Sequence, residues 1–149
     1  MAETARFEKP NALERAFGSA IGFLLRLGVG PSHMRVLEVR GRKSGKLFTL
    51  PVDLLSRDGK LYLVAPRGHA QWVRNAESAG AVVLRRGSRA QEYRLRVLGD
   101  AEKPPILKAY LDSFRSEVQR FFPLAAGSPV EQFAPLVTRY PAFELTPSR

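Results

Sequence analysis

The chain has 149 residues, 44% of them hydrophobic, no cysteine, and 24 Lys+Arg against 14 Asp+Glu, for a formal net charge of +10. That length and composition describe one globular domain that buries about 70% of its unfolded surface, and they exclude disulfides and cysteine-held metals. The charge asks for an anionic partner, whether phosphate, nucleic acid, anionic lipid or a polyanionic cofactor, and says nothing about fold.

The first element is a helix over 11–27. Leu13, Phe17, Ala20, Ile21, Leu24 and Leu25 recur at three- and four-residue steps, with Asn11 as N-cap and Gly28 as stop. Its apolar run from Ala16 to Leu25 is too short to span a bilayer, which takes about 20 residues. Glu3, Glu8 and Glu14 spoil the basic start of a secretory signal, so the chain reads as unprocessed and cytoplasmic. The broad apolar face suits packing on the domain's own sheet. With Arg15 and Arg26 it also suits an interfacial helix on lipid, which would make the protein peripheral to the inner face of the membrane.

After Gly28-Val29-Gly30-Pro31 come five short runs rich in Val, Leu and Tyr: Val36–Arg40, Leu47–Leu55, Lys60–Ala65, Ala81–Arg85 and Gln91–Leu98. Asp58-Gly59 and Gly87-Ser88 mark two tight hairpins. Tyr93, Leu95 and Val97 alternate with Arg94 and Arg96, as in a strand with one buried face. A short helix over 70–79 ends at Gly80, a longer one covers 105–122, and Phe143-Glu144-Leu145 adds a last edge strand. The fold class is α+β, mainly β: about six mostly antiparallel strands curled into a small barrel spanning 34–98, with flanking helices, in one domain over 1–149.

The densest chemical signal is Gly41-Arg42-Lys43-Ser44-Gly45-Lys46, where two glycines bracket two basic residues and a hydroxyl between two strands. Such a turn can aim backbone N–H groups, a guanidinium and an ammonium at one anion. It is not a Walker A loop, because its glycines are too close, Leu47 replaces Ser or Thr, and a strand follows. Val64-Ala65-Pro66-Arg67-Gly68-His69 is a second basic turn, ahead of the Trp72 helix. Trp72 either covers a flat ring or anchors its helix in the core.

Catalysis by the chain's own side chains has little support. There is no nucleophile elbow, no Cys, and no His beside an obvious Ser and Asp. His33 and His69 lack metal-ligand spacing, so no metal is expected. An enzyme built this way relies on a bound organic cofactor.

Val39-Arg40-Gly41-Arg42-Lys43-Ser44-Gly45, then Thr49-Leu50-Pro51, Tyr62-Leu63-Val64-Ala65 and Trp72-Val73-Arg74-Asn75, taken in that order, resemble the deazaflavin-dependent nitroreductase family. The resemblance is good over residues 30 to 98 and looser near Tyr110-Leu111. It implies a split β-barrel binding coenzyme F420, a polyanion with a flat tricycle. It implies that Arg42, Lys43, Ser44 and Gly45 hold the phosphate and tail, and that Thr49, Leu50 and Pro51 line the ring. Ala65, Pro66 and Arg67 then form the opposite wall, and Trp72 and Asn75 fix the helix that closes the site. Phe48 stands where many members carry a basic residue. Phe133, Val137 and Tyr140 replace the family's closely spaced C-terminal tyrosines, so neither substrate nor proton donor carries over and the catalytic residue is unknown.

The expected activity is hydride transfer from the reduced deazaflavin to a small electron-poor acceptor such as a quinone, nitro compound or activated alkene. An FMN-binding split barrel and a non-catalytic carrier of fatty acid or lipid are the alternatives. Specific nucleic-acid binding is not expected, because aromatics interleaved with Arg on a strand face are scarce, Tyr93 being the main candidate. Monomer and homodimer are both compatible with the sequence.

Overall fold

The computed structural model describes residues 20–25, 27–28 and 32–148. The expected N-cap at Asn11, the helix up to residue 19, Arg26, and Val29-Gly30-Pro31 lie outside the described residues. The first helix, α1, is helical over residues 20–25. Gly28 ends it at φ +81°, its N–H returning to the Leu25 carbonyl at 3.0 Å. That carbonyl also accepts from the Gly87 N–H at 2.8 Å, and a Cβ on Gly87 would stand only 3.2 Å from the Gly28 Cα. Two glycines thus let the helix end lie against a hairpin backbone.

Among the described residues seven strands form one antiparallel sheet: β1 (Met34–Arg40), β2 (Leu47–Asp53), β3 (Leu55–Arg57), β4 (Lys60–Val64), β5 (Ala81–Arg86), β6 (Arg89–Val97) and β7 (Ala142–Pro147). Their order is β2-β1-β5-β6-β7-β4-β3, and the sheet curls until β2 approaches β4, giving a half-barrel. The expected run 47–55 is two strands, because Leu54 leaves the ladder and bonds the His33 carbonyl at 2.8 Å. The β3–β4 turn has positive φ at both Asp58 (51°) and Gly59 (77°), as a tight Asp-Gly hairpin requires. Alternation along β6 holds only in part, since Val97 remains 53% exposed.

The last strand corrects the sequence reading. β7 is not an edge: Leu145 pairs with Leu61 of β4 on one side and Leu95 of β6 on the other. Phe143 and Leu145 are buried accordingly, and the sheet's edges are β2 and β3.

Helix α2 (Gln71–Ala79) caps the half-barrel, burying Val73, Asn75 and Ala76, and stops at Gly80, whose φ is +74°. The expected helix over 105–122 is not continuous. It forms α3 (Lys103–Ser113), breaks at Phe114 (φ −120°, ψ 30°), and resumes as α4 (Arg115–Val118) and a 3₁₀ turn at Gln119–Phe121. Phe114, Val118 and Phe121 all enter one core on both sides of the break. A second core, containing Leu37, Leu63, Val73, Val82 and Phe143, fills the curled sheet beneath α2.

Candidate cofactor site

The β1–β2 connection turns tightly at residues 41–46. The Gly41 N–H bonds the Lys46 carbonyl at 2.8 Å, and the Gly45 N–H bonds the Gly41 carbonyl at 2.9 Å, with Gly45 at φ +72°. A Cβ on Gly41 would meet the Phe48 ring at 2.8 Å, so this glycine admits the ring that packs beneath the turn. The Lys46 N–H donates to Ser44 Oγ at 3.2 Å.

Asn75 connects this turn to α2. Its Oδ1 accepts from the Arg42 backbone N–H at 3.1 Å and from Arg42 Nη1 at 2.7 Å, and Asn75 is only 4% exposed. A buried amide oxygen therefore fixes both the backbone and the guanidinium of Arg42, and the turn cannot shift without breaking a charge-assisted contact.

With four N–H groups of the turn so engaged, those of Lys43 and Ser44 have no hydrogen-bond partner among the described residues. The Lys43 and Lys46 ammonium groups likewise meet no carboxylate there. Elsewhere several cations are paired: Arg85 with Glu38 at 2.9 Å, Arg96 with Glu102 at 2.9 Å and Glu144 at 3.2 Å, and Lys60 with Glu144 at 3.4 Å. Two adjacent N–H groups and an uncompensated ammonium are a donor set of the kind an anion uses.

The other expected residues fall around α2 and the strand edge. Thr49 is exposed on β2, opposite Glu38, while Leu50 and Pro51 are half-buried opposite Leu37 and Val36. Ala65 is buried, and its N–H bonds the Pro141 carbonyl at 2.9 Å. Pro66 and Arg67 are half-buried, and the Arg67 guanidinium lies 4.6 Å from the centre of the Phe121 ring. Trp72 is half-buried with its ring 6.1 Å from that of Phe143, so it anchors α2 on the sheet's core while keeping part of its surface open. Tyr140 and Phe133 are fully buried, and the Tyr140 hydroxyl donates to the Phe121 carbonyl, which makes both structural.

A second polar cluster was not visible in the sequence. His33 Nε2 lies 2.9 Å from Glu117 Oε1 and 3.2 Å from Asp53 Oδ1, and its ring stacks on Phe114 at 4.8 Å. Burial, and then the neighbouring Glu117 carboxylate, push the Asp53 carboxyl up to about 6, against a smaller opposing pull from His33. Burial and the same two carboxylates hold the Tyr110 hydroxyl well above its ordinary range. Glu117 is 84 residues from His33, and no local spacing announces such a contact.

A family of F420H2-dependent quinone reductases matches residues 9–119 of this sequence. The chain belongs to that family. It is thus an F420-dependent reductase, and coenzyme F420 is its cofactor.

The solved structures it resembles carry the same fold. An F420-H2 dependent reductase is 19% identical over 79% of this chain and 97% of its own, with a TM-score of 0.53. A protein described as a domain-swapped dimer is 19% identical over 90% of this chain and 93% of its own, at 0.54. A putative pyridoxamine 5'-phosphate oxidase from Listeria innocua is 10% identical over 78% of this chain and 85% of its own, at 0.52, so the split half-barrel fold is shared with that protein. No curated protein matches the chain.

The donor set of the β1–β2 turn fits the cofactor. A phosphate and an oligoglutamate tail need N–H donors and uncompensated cations, and the turn presents both, tied through Asn75 to the helix that carries Trp72.

Proposed function

We propose that this chain reduces a quinone with F420H2, binding the cofactor's phosphate and tail through Arg42, Lys43, Ser44 and Gly45. The observation that carries the binding mode is the Arg42–Asn75 contact, which ties an anion-ready turn to the helix bearing Trp72. Bound F420H2 supplies a hydride to an electron-poor carbon or oxygen system. The chain's own work is orientation. Lys43 and the N–H groups of Lys43 and Ser44 hold the anionic end, and Asn75 keeps Arg42 from swinging away. Thr49, Leu50 and Pro51 line one side of the ring, with Ala65, Pro66 and Arg67 opposite, and their apolar atoms exclude water. The accompanying proton comes from solvent, because Tyr140 is committed to the Phe121 carbonyl.

Anaerobic oxidation of F420H2 by the purified protein, with a soluble naphthoquinone, a nitroaromatic and an activated alkene in parallel, tests the acceptor. Turnover fastest with the quinone supports the reading. Preference for either of the other two retains the reductase and reassigns its substrate.

We also infer a homodimer, in keeping with the dimeric relative of the same fold, and a peripheral contact with the inner face of the membrane. Phe23 and Leu27 are each 62% exposed and Leu24 41%, an apolar patch at the end of α1 on a strongly basic protein. No helix among the described residues is long and apolar enough to cross a membrane. Co-sedimentation with anionic vesicles, reduced in a Phe23→Ser/Leu27→Ser variant, supports the contact, and equal sedimentation of both proteins opposes it.

A further inference from the structure

We propose that His33, Asp53 and Glu117 bind one divalent transition cation, zinc being the best chemical match, and that this ion ties α4 to the start of β1 and the end of β2.

The three ligands come from distant parts of the chain but meet at one point. Their ligand atoms lie within 4.8 Å of one another, and the two His33 distances are 2.9 and 3.2 Å. Donor atoms each about 2.0–2.2 Å from a common zinc ion stand roughly 3–3.5 Å apart, so both His33 distances match edges of a coordination shell. One imidazole with two carboxylates is a nitrogen and oxygen set that suits zinc and its first-row neighbours, whereas magnesium and calcium take oxygen alone. Two carboxylates also balance the ion's charge.

The hydrogen-bond inventory supplies an independent reason. Asp53 is only 9% exposed, and its Oδ1 is fully buried with no hydrogen-bond partner among the described residues despite its nearness to the imidazole. A single N–H on His33 Nε2 points at one acceptor, and Glu117 is the nearer. If the imidazole instead carries its proton on Nδ1, a lone pair faces two carboxylate oxygens. A cation among the three atoms satisfies every one of them, including the buried oxygen that the protein alone leaves without a partner.

Access and support are both present. The side chains of His33 and Glu117 are 30% and 34% exposed, which gives an ion a way in. Behind them, Phe114 stacks on the imidazole and holds its plane, and Leu54 bonds the His33 carbonyl and fixes the strand junction that presents Asp53. The inference does not depend on F420 or on the acceptor.

The test is calorimetric titration of the tag-free, chelator-treated full-length protein with zinc chloride, followed by thermal melting with and without the metal. One equivalent should bind with micromolar or tighter affinity and raise the melting temperature. His33→Ala and Glu117→Gln should each weaken binding at least tenfold and abolish the zinc-dependent rise, while His69→Ala should change neither. Glu117→Gln replaces a half-exposed group, so it reports on the site even if His33→Ala fails to fold. Absence of saturable binding in the micromolar range, or binding undiminished in Glu117→Gln, would overturn the proposal and leave a hydrogen-bonded cluster without an ion.

Discussion

The β1–β2 turn and the His33 cluster both gather polar groups at a strand end, yet they are made in opposite ways. The turn is local: six consecutive residues close on themselves through two backbone bonds, and among the described residues its single distant hydrogen-bond partner is Asn75. The cluster is assembled from three segments, and its members are paired with one another under partial burial. Locality leaves the turn's cations in water, where they cost little and stay available to an anion. Assembly under burial sets charges against each other, so the cluster stores electrostatic tension that pH, mutation or an ion can release.

The largest expected effect of that difference is on pH dependence. Because folding raises the Asp53 carboxyl to about 6, its contribution to stability is fully present below its unfolded value near 3.8 and is lost as pH rises through about 6. In chelator, Asp53→Asn should therefore stabilise the protein at pH 7 to 8 by up to about 3 kcal/mol and have little effect near pH 3.5. Urea melts at the two pH values measure it, and equal shifts at both would erase the contrast.

Next comes the turn. Lys43→Ala should weaken F420 binding at least tenfold, since a charge-assisted contact is worth about 1.5–3 kcal/mol, while the melting temperature stays unchanged. A drop in melting temperature would show that the ammonium has a structural partner. Asn75→Ala should do both, lowering stability by about 1–2 kcal/mol through the loss of its paired bonds and weakening the cofactor several-fold through the freed Arg42. Smallest, Gly45→Ala should cost about 1 kcal/mol in a urea melt, because the turn holds residue 45 at φ +72°.

The two sites were unequally legible in the sequence. Residues 41–46 declare themselves, because glycines, a hydroxyl and basic residues at that spacing between two β-like runs have a mechanical meaning in isolation. Asp58-Gly59 and Gly80 were readable for the same reason, each supplying a positive φ where the chain must turn or stop. The cluster was invisible, since His33 and Glu117 meet only after the α3–α4 break and the sheet register are set. The break at Phe114 was itself hidden, because Ile106 through Phe121 keep an apolar period that continues past the point where core packing ends the helix. Phe143-Glu144-Leu145 was too short to reveal that it is paired on both sides, and the pattern that would mark it as central lies in its neighbours β4 and β6.

The most direct test of the cofactor site is a fluorescence titration at physiological salt with oxidised F420 and, in parallel, FMN, comparing the natural protein with Lys43→Ala. F420 should bind saturably at micromolar affinity or tighter, FMN much more weakly, and the variant should lose at least tenfold in F420 affinity. Tight FMN binding, or F420 affinity untouched by removing the Lys43 ammonium, would contradict this assignment of the site.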